Sequence, residues 1–189
     1  HKETVQHLWN ELEKNDDIYL SKYSGWYSVS DEAFYAENEI EEIEGAKRSI
    51  ESKSLVEWIE EESYFFRLSK WEKPLLNYYK SHPDFISPES RKNEVISFVK
   101  GGLKDLSVSR KSFSWGIQVP NNKDHVIYVW LDALANYISA LNYPNSDDEL
   151  FKKFWPASIH LIGKDILRFH AVYWPAFLLA AKIELPNKI

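Results

Sequence analysis

Hydrophobic residues recur at helical spacing near the start of the chain. Val5, Leu8, Trp9 and Leu12 lie three or four positions apart, which predicts an amphipathic helix over residues 3–14. Such a helix buries one apolar stripe, so it needs a partner in the rest of the chain.

Residues 1–105, of which this helix is the first element, mix both periodicities and predict an α+β module. Two strand-like runs flank Ser24 and Gly25, which predicts a hairpin turn there. Residues 31–54 are rich in charge and weakly periodic, so we expect an exposed excursion with little regular structure. Aromatic and β-branched residues return in 56–70, which predicts another strand.

Two helices end this module. The first covers residues 71–82 and carries Pro74 in its first turn, where a missing N–H costs little. The second begins at Ser87, which we expect to cap it, and ends at Gly101.

The pattern changes after residue 105. Residues 107–120 read as extended, and the apolar runs 125–133 and 158–163 read as strands buried on both faces. A helical pattern follows each run, at 134–143 and 164–182. Because strand and helix alternate, we predict an α/β fold here, half of a doubly wound parallel sheet.

Polar residues stand where the second predicted strand becomes a helix. Gly163 permits close backbone approach, and the helix start favours an anion. Asp165 could accept a bond from a ribose hydroxyl, with Lys164 as a charge partner. The simpler alternative is a turn glycine and a helix-capping aspartate, which are commoner than ligand sites.

One histidine stands in the apolar stripe of the last helix. Ile166, His170 and Trp174 recur every four residues and therefore share one face. Pro175 cannot donate to the carbonyl of Ala171, so we expect a kink there. A kink among large rings can open a cavity. The alternative is a core histidine with satisfied hydrogen bonds between two packed helices.

The facing wall is predicted to come from Trp130, Ala133, Leu134 and Tyr137. The cavity would then be apolar, with the Tyr137 hydroxyl and His170 as its two polar points. This combination suits an unbranched, polarisable side chain such as a thioether, with the histidine neutral and donating a hydrogen bond.

Composition narrows the class of protein. The 189 residues are 44% hydrophobic and 28% charged, as in a globular chain, and the net charge of −6 argues against an extended nucleic-acid surface. There is no Cys, which excludes disulfides and cysteine-bound zinc and fits a reducing cytoplasm. No apolar run reaches about 18 residues, so no membrane span is expected. The chain lacks Met altogether, so we expect an internal piece of a longer protein.

Several stretches together resemble the class I aminoacyl-tRNA synthetases. KDLSVSRKSFSWGIQVP is similar to the segment that returns from an inserted domain to the nucleotide-binding fold. YVWLDALANY and HLIGKDILRFHAVYWPAFL resemble the methionyl-tRNA synthetases in particular. GWYSVSDEAFY and VEWIEEESYFFRLSKW resemble their connective-peptide insert, so the resemblance covers almost the whole chain.

The resemblance implies a Rossmann-like α/β catalytic domain with an α+β insert. Residues 1–16 would end its first half, 17–105 would form the connective peptide, and 106–189 the second half. The positions that match the family's methionine pocket are Trp130, Ala133, Leu134, Tyr137, Ile166, Phe169, His170 and Trp174. Those that match its ATP site are Gly163, Lys164 and Asp165. Leu134 departs from the Pro or Thr often found there.

The resemblance also implies an activity. The parent protein would activate methionine with ATP and Mg²⁺ and transfer it to tRNA, without DNA or membrane partners. The family's H-x-G-H and K-M-S-K-S motifs are absent from these residues, so no catalytic residue is assigned and the piece alone is expected to be inactive. Without Cys, no zinc is expected in the insert.

Two alternatives remain at this stage. A sister synthetase for leucine, isoleucine or valine would share the fold, but an aliphatic side chain would leave the polar pair of His170 and Tyr137 unsatisfied. A non-catalytic module that binds tRNA or protein would also lack the two motifs. Unlike a synthetase, it would not bind free methionine.

Overall fold

The structure is a computed structural model that describes residues 1–189 except 29, 31, 32, 36, 44, 51 and 112–114. Its helices are α1 Lys2–Lys14, α2 Glu72–Ser81, α3 Glu89–Lys100, α4 Val129–Ser139, α5 Glu149–Phe154 and α6 Trp174–Ala180. Its strands are β1 Ile18–Ser28, β2 Ala33–Tyr35, β3 Ile40–Ile43, β4 Ala46–Ser49, β5 Glu57–Phe66, β6 Leu106–Ser107, β7 Ser109–Arg110, β8 Gln118–Val119 and β9 Asn122–Ile127.

The chain divides into two compact units. One comprises His1–Tyr19 with Tyr64–Ile189, and the other comprises Leu20–Ser63. The hydrophobic core lies in the first unit, where the four periodic residues of α1 are fully buried. The predicted first helix is therefore confirmed, and so are the helices α2 and α3.

The second unit is built from antiparallel pairs. Trp26 of β1 faces Tyr35 of β2, and β3 pairs with β4 from Ile40–Ser49 to Ile43–Ala46. The prediction of an irregular excursion over residues 31–54 is wrong for the described part, because these short strands satisfy each other's backbone. Positions 31, 32, 36, 44 and 51 lie outside the described residues.

Two local predictions are corrected. Strand β1 runs unbroken through Ser24 and Gly25, so the hairpin predicted there is wrong. The pairing of β1 with β2 joins Ser28 to Ala33. Ser87 does not cap α3, whose N-cap is Pro88. The Ser87 N–H instead donates to the carbonyl of Ile189 at 2.8 Å.

The first predicted buried strand is shorter than expected. β9 ends at Ile127, and α4 already begins at Val129, so Trp130 stands in a helix rather than at a strand end. β9 pairs antiparallel with β7 and β8 in the order β7-β9-β8. Of the extended segment predicted over 107–120, residues 112–114 lie outside the described part.

The second predicted strand, 158–163, is not formed as a regular strand. Two main-chain bonds nevertheless join it to the end of the chain. The Asn187 N–H donates to Ala157, and the His160 N–H donates to Lys188, both at 2.8 Å. Both segments advance in the same direction along these bonds, which is the parallel sense.

The side chains of this segment explain why the strand is incomplete. Ile159 and Leu161 are 61% and 96% exposed. A parallel strand is normally covered on both faces and paired on both edges. Within the described residues this segment is paired along one edge only, so it keeps the direction of a sheet strand without its regular ladder.

The last helical region runs from Lys164 to Ala180 in three forms. A 3-10 turn over Lys164–Ile166 leads to a π-helical stretch over Phe169–Tyr173, and α6 follows. The irregularity lies immediately before Pro175, as the missing N–H predicts. The freed carbonyl of Ala171 accepts a bond from the Tyr79 hydroxyl at 2.5 Å. Burial raises the pKa of Tyr79 well above its usual value, so the hydroxyl remains a donor.

We expect Tyr79→Phe to lower the free energy of unfolding by about 1–3 kcal/mol, because a buried carbonyl loses its partner. The half-buried neighbour Tyr78, changed to Phe, is the matched control. In a Pro175→Ala background the new backbone N–H can donate to the Ala171 carbonyl. The loss of unfolding free energy caused by Tyr79→Phe should then largely disappear. Chemical denaturation of the four variants measures this cycle, and strictly additive costs would contradict it.

Candidate functional site

Helix α4 supplies one side of the candidate site. Its residues Leu131, Leu134 and Ile138 are fully or almost fully buried in the core, and they fix the helix in place. Trp130 and Tyr137, seven positions apart, therefore share a neighbouring face that is only partly covered.

A chain of two hydrogen bonds joins α4 to the last helical region. The Nδ1 of His170 lies 2.9 Å from the Ile166 carbonyl, and its Nε2 lies 2.8 Å from the Tyr137 hydroxyl. A carbonyl can only accept, so Nδ1 carries the proton and Nε2 accepts from the tyrosine. Burial lowers the pKa of His170, against a smaller opposing effect of the Ile166 carbonyl, so the ring is neutral near pH 7.

This arrangement corrects one detail of the sequence analysis. His170 was expected to donate a hydrogen bond to a ligand. Both of its ring nitrogens are instead engaged within the chain, because the π-helical turn brings the Ile166 carbonyl to Nδ1. The polar group that a ligand would meet is the pair formed by the Tyr137 oxygen and the imidazole edge.

Aromatic rings surround the polar pair. Trp130 stacks on Phe169 with ring centroids 3.4 Å apart and planes within 11°. Trp174 is fully buried and lies 6.2 Å from the Tyr137 ring. The predicted facing of α4 and the last helical region is thus present, with a ring pair at one end and a buried indole at the other.

The remaining predicted pocket residues differ in their exposure to solvent. Ala133 is exposed and Ile166 is half-buried, whereas Leu134 is buried in the core at 1% exposure. Leu134 therefore supports α4 from behind more than it lines an open space.

The sequence analysis did not single out His160. Its ring centroid lies 4.1 Å from that of Tyr137, 6.1 Å from Trp155 and 6.4 Å from His170. Burial, with a contribution from His170, lowers the pKa of His160 to about 4. Its signal in the sequence was a polar side chain inside an otherwise apolar strand-like run, three residues before Gly163.

The predicted ATP residues form an exposed turn. Gly163 precedes the 3-10 turn with φ −73°, and a Cβ there would meet nothing within 4 Å. The described fold therefore does not itself require a glycine, which fits a position that another molecule approaches. Lys164 and Asp165 are both exposed beside it. A cavity of about 440 Å³ opens next to Gly163 and Lys164 and also touches His160 and Arg91.

The described residues contain neither a metal-binding cluster nor a membrane-spanning helix. No group of three or more His, Cys, Asp or Glu side chains in them could hold a metal ion. None of their helices is long and apolar enough to cross a membrane.

Comparison with known proteins shows the family of the chain. The model of the class I tRNA synthetases (M) matches residues 1–45 and 41–189. The chain belongs to this family of class I tRNA synthetases. Over all 189 residues it is 56% identical to the methionine–tRNA ligase of Mycobacterium tuberculosis and 60% identical to that of Rickettsia bellii. It spans about 36% of the length of each of these relatives.

Solved structures show the same relationship. Mycobacterium tuberculosis methionyl-tRNA synthetase in complex with methionyl-adenylate superposes with a TM-score of 0.91 at 56% identity. The match covers the whole of this chain and 37% of that one. The free form of the same enzyme also has a TM-score of 0.91. The mixed helix and strand architecture is therefore that of a class I synthetase.

The buried His160 predicts how stability depends on pH. Its pKa is about 4 in the folded chain and about 6.5 when unfolded, so the unfolded chain binds more protons between these values. The melting temperature should therefore fall as the pH decreases from 6.5 to 4. His160→Phe removes this titration, and its melting temperature should fall less over the same range. Equal falls in the two proteins would contradict the assignment.

Proposed function

We propose that this chain is the part of a methionine–tRNA ligase that carries the methionine pocket and one edge of the ATP site. The observation that carries the proposal is the neutral Tyr137–His170 pair within a ring of aromatic side chains. The sequence identity of 56–60% to methionine–tRNA ligases of other organisms also supports the proposal.

The proposed organisation follows from the same family. Residues 106–189 form the second half of a Rossmann-like domain, residues 17–105 form the connective peptide, and residues 1–16 end the first half. The parallel sense of the bonds that join 157–160 to 187–188 supports a parallel sheet in this region. The exposed Leu161 fits a strand face that another part of the parent protein covers.

The proposed reaction has two steps. A methionine carboxylate oxygen attacks the α-phosphorus of ATP, and pyrophosphate leaves to give methionyl-adenylate. A terminal ribose hydroxyl of tRNA then attacks the methionyl carbonyl, and AMP leaves. The solved complex of the Mycobacterium tuberculosis enzyme contains the adenylate of the first step. The residues of this chain bind and orient the reactants, and none of them is assigned to the bond-making itself.

The pocket distinguishes a thioether from a purely aliphatic side chain. The Tyr137 oxygen and the His170 edge are polar but already satisfied by each other, so a polarisable sulfur can pack against them at little desolvation cost. The expectation that an aliphatic side chain would leave this pair unsatisfied is wrong, because Tyr137 and His170 bond to each other. Such a side chain still gains nothing from the pair, which disfavours the leucine, isoleucine and valine enzymes. Trp130 and Phe169 would then close the pocket over the side chain.

The ATP edge is proposed at the exposed turn of Gly163, Lys164 and Asp165. The backbone of Gly163 is open to approach, and the Asp165 carboxylate can accept bonds from ribose hydroxyls. Mg²⁺ would arrive with ATP and supply charge neutralisation at the phosphates. The described residues offer no cluster of metal ligands, so no ligand of this ion is assigned to the chain. The proposed setting is the cytoplasm, where tRNA is the macromolecular partner.

His170→Ala in the whole protein should lower kcat/KM for methionine by about tenfold. The substitution removes a buried hydrogen bond, whose loss costs about 1–3 kcal/mol. For norleucine, in which a methylene replaces the sulfur, kcat/KM should fall less. Amino-acid-dependent exchange of pyrophosphate into ATP gives kcat/KM for both. The exposed His82, changed to Ala, is the matched control. Equal losses for both amino acids would contradict sulfur recognition, and absence of exchange in the unmodified protein would contradict the proposed function.

Asp165→Asn should raise the KM for ATP by several-fold to about tenfold, because a charge-assisted bond to a hydroxyl becomes a neutral one. The KM for methionine should remain unchanged. The exposed Asp124, changed to Asn, is the control for loss of one surface charge. An unchanged KM for ATP would show that Asp165 only forms part of a turn.

A further inference from the structure

His160 is a buried histidine that the proposed pocket does not yet use. It is 6% exposed, and its Nε2 has no hydrogen-bond partner among the described residues. A buried polar atom without a partner costs about 1–3 kcal/mol, whereas an apolar ring at the same place would avoid this cost. Packing alone is therefore a poor reason for a histidine here.

The imidazole of His160 holds the face of the Tyr137 ring. The two centroids are 4.1 Å apart with planes inclined by 39°, closer to Tyr137 than the rings of His170 and Trp174. Trp174 lies farther away at 6.2 Å. The hydroxyl of the same Tyr137 ring lies 2.8 Å from the Nε2 of His170, so the ring that His160 contacts is the one that makes this hydrogen bond.

His160 is itself fixed by the backbone. Its N–H donates to the carbonyl of Lys188, and the next residue, Ile189, donates to Phe85 at 2.7 Å. His160 also begins the short run that leads to Gly163. A shift of this segment would therefore move the ring that supports Tyr137 together with the proposed ATP turn.

We propose that His160 is a positioning residue that holds Tyr137 in its hydrogen bond with His170 and thereby sets the preference for a thioether. This inference rests on the proposed function, since it concerns the same methionine pocket. The five-membered ring leaves Tyr137 in place at a centroid distance of 4.1 Å. A larger six-membered ring in the same space would push the tyrosine away from His170.

The test uses His160→Phe in the whole protein. Its kcat/KM for methionine relative to norleucine should fall by about tenfold, since the loss amounts to one buried hydrogen bond. The melting temperature at pH 7.5 should change little, because removal of the unpartnered nitrogen offsets the loss of the Tyr137–His170 hydrogen bond. His82→Phe is the matched control, since His82 stacks on Tyr78 with centroids 4.0 Å apart outside this pocket. It should leave the selectivity unchanged.

A double-mutant cycle with Tyr137→Phe separates positioning from packing. If His160 acts through the tyrosine hydroxyl, His160→Phe should not lower the selectivity further in the Tyr137→Phe background. An unchanged methionine-to-norleucine ratio in the single variant, or fully additive losses in the cycle, would overturn the inference while leaving the proposed function intact. Absence of methionine-dependent exchange in the unmodified protein would overturn both.

If His160→Phe does not fold, His160→Gln gives the same test without a large ring. It removes the support of the Tyr137 face, so the selectivity should again fall by about tenfold. Retained selectivity in this variant would overturn the inference.

Discussion

The candidate site depends on the two hydrogen bonds made by His170. The Ile166 carbonyl fixes its tautomer, and the tautomer in turn makes Nε2 an acceptor for Tyr137. A protonated ring would lose this acceptor and introduce a charge among aromatic side chains, and burial opposes that state by lowering the pKa. In the proposed pocket, a polar pair that is neutral and self-satisfied would let apolar walls recognise a weakly polar sulfur.

The backbone around Pro175 places His170 where this pair can form. Pro175 leaves the Ala171 carbonyl without its helical partner, and the preceding turn widens into a π-helix. Tyr79 from α2 then supplies the missing hydrogen bond. The irregular turn is therefore held by the core, so that a local defect in the helix becomes a fixed geometry for the histidine.

Much of the fold and part of the site could be predicted from the sequence. Hydrophobic periodicity predicted the helices, because apolar residues at 3.6-residue spacing form the stripe that a helix buries. It failed at Ser24-Gly25, where strand pairing overrode a turn signal, and at 158–163, where a strand depends on neighbours that the local pattern does not show. The facing of Tyr137 and His170 was expected from spacing, and their 2.8 Å bond confirms that they meet. His160 was missed because its importance comes from a tertiary ring contact.

The central claim is that a neutral His170, bonded to Tyr137, forms the methionine pocket. The most direct measurement is ¹⁵N NMR of the histidine-labelled whole protein at pH 7.5, with and without methionine. We expect a neutral His170 with its proton on Nδ1, and a change of its resonances on addition of methionine while those of the exposed His82 stay unchanged. A protonated His170, a proton on Nε2, or resonances that do not respond to methionine would contradict it.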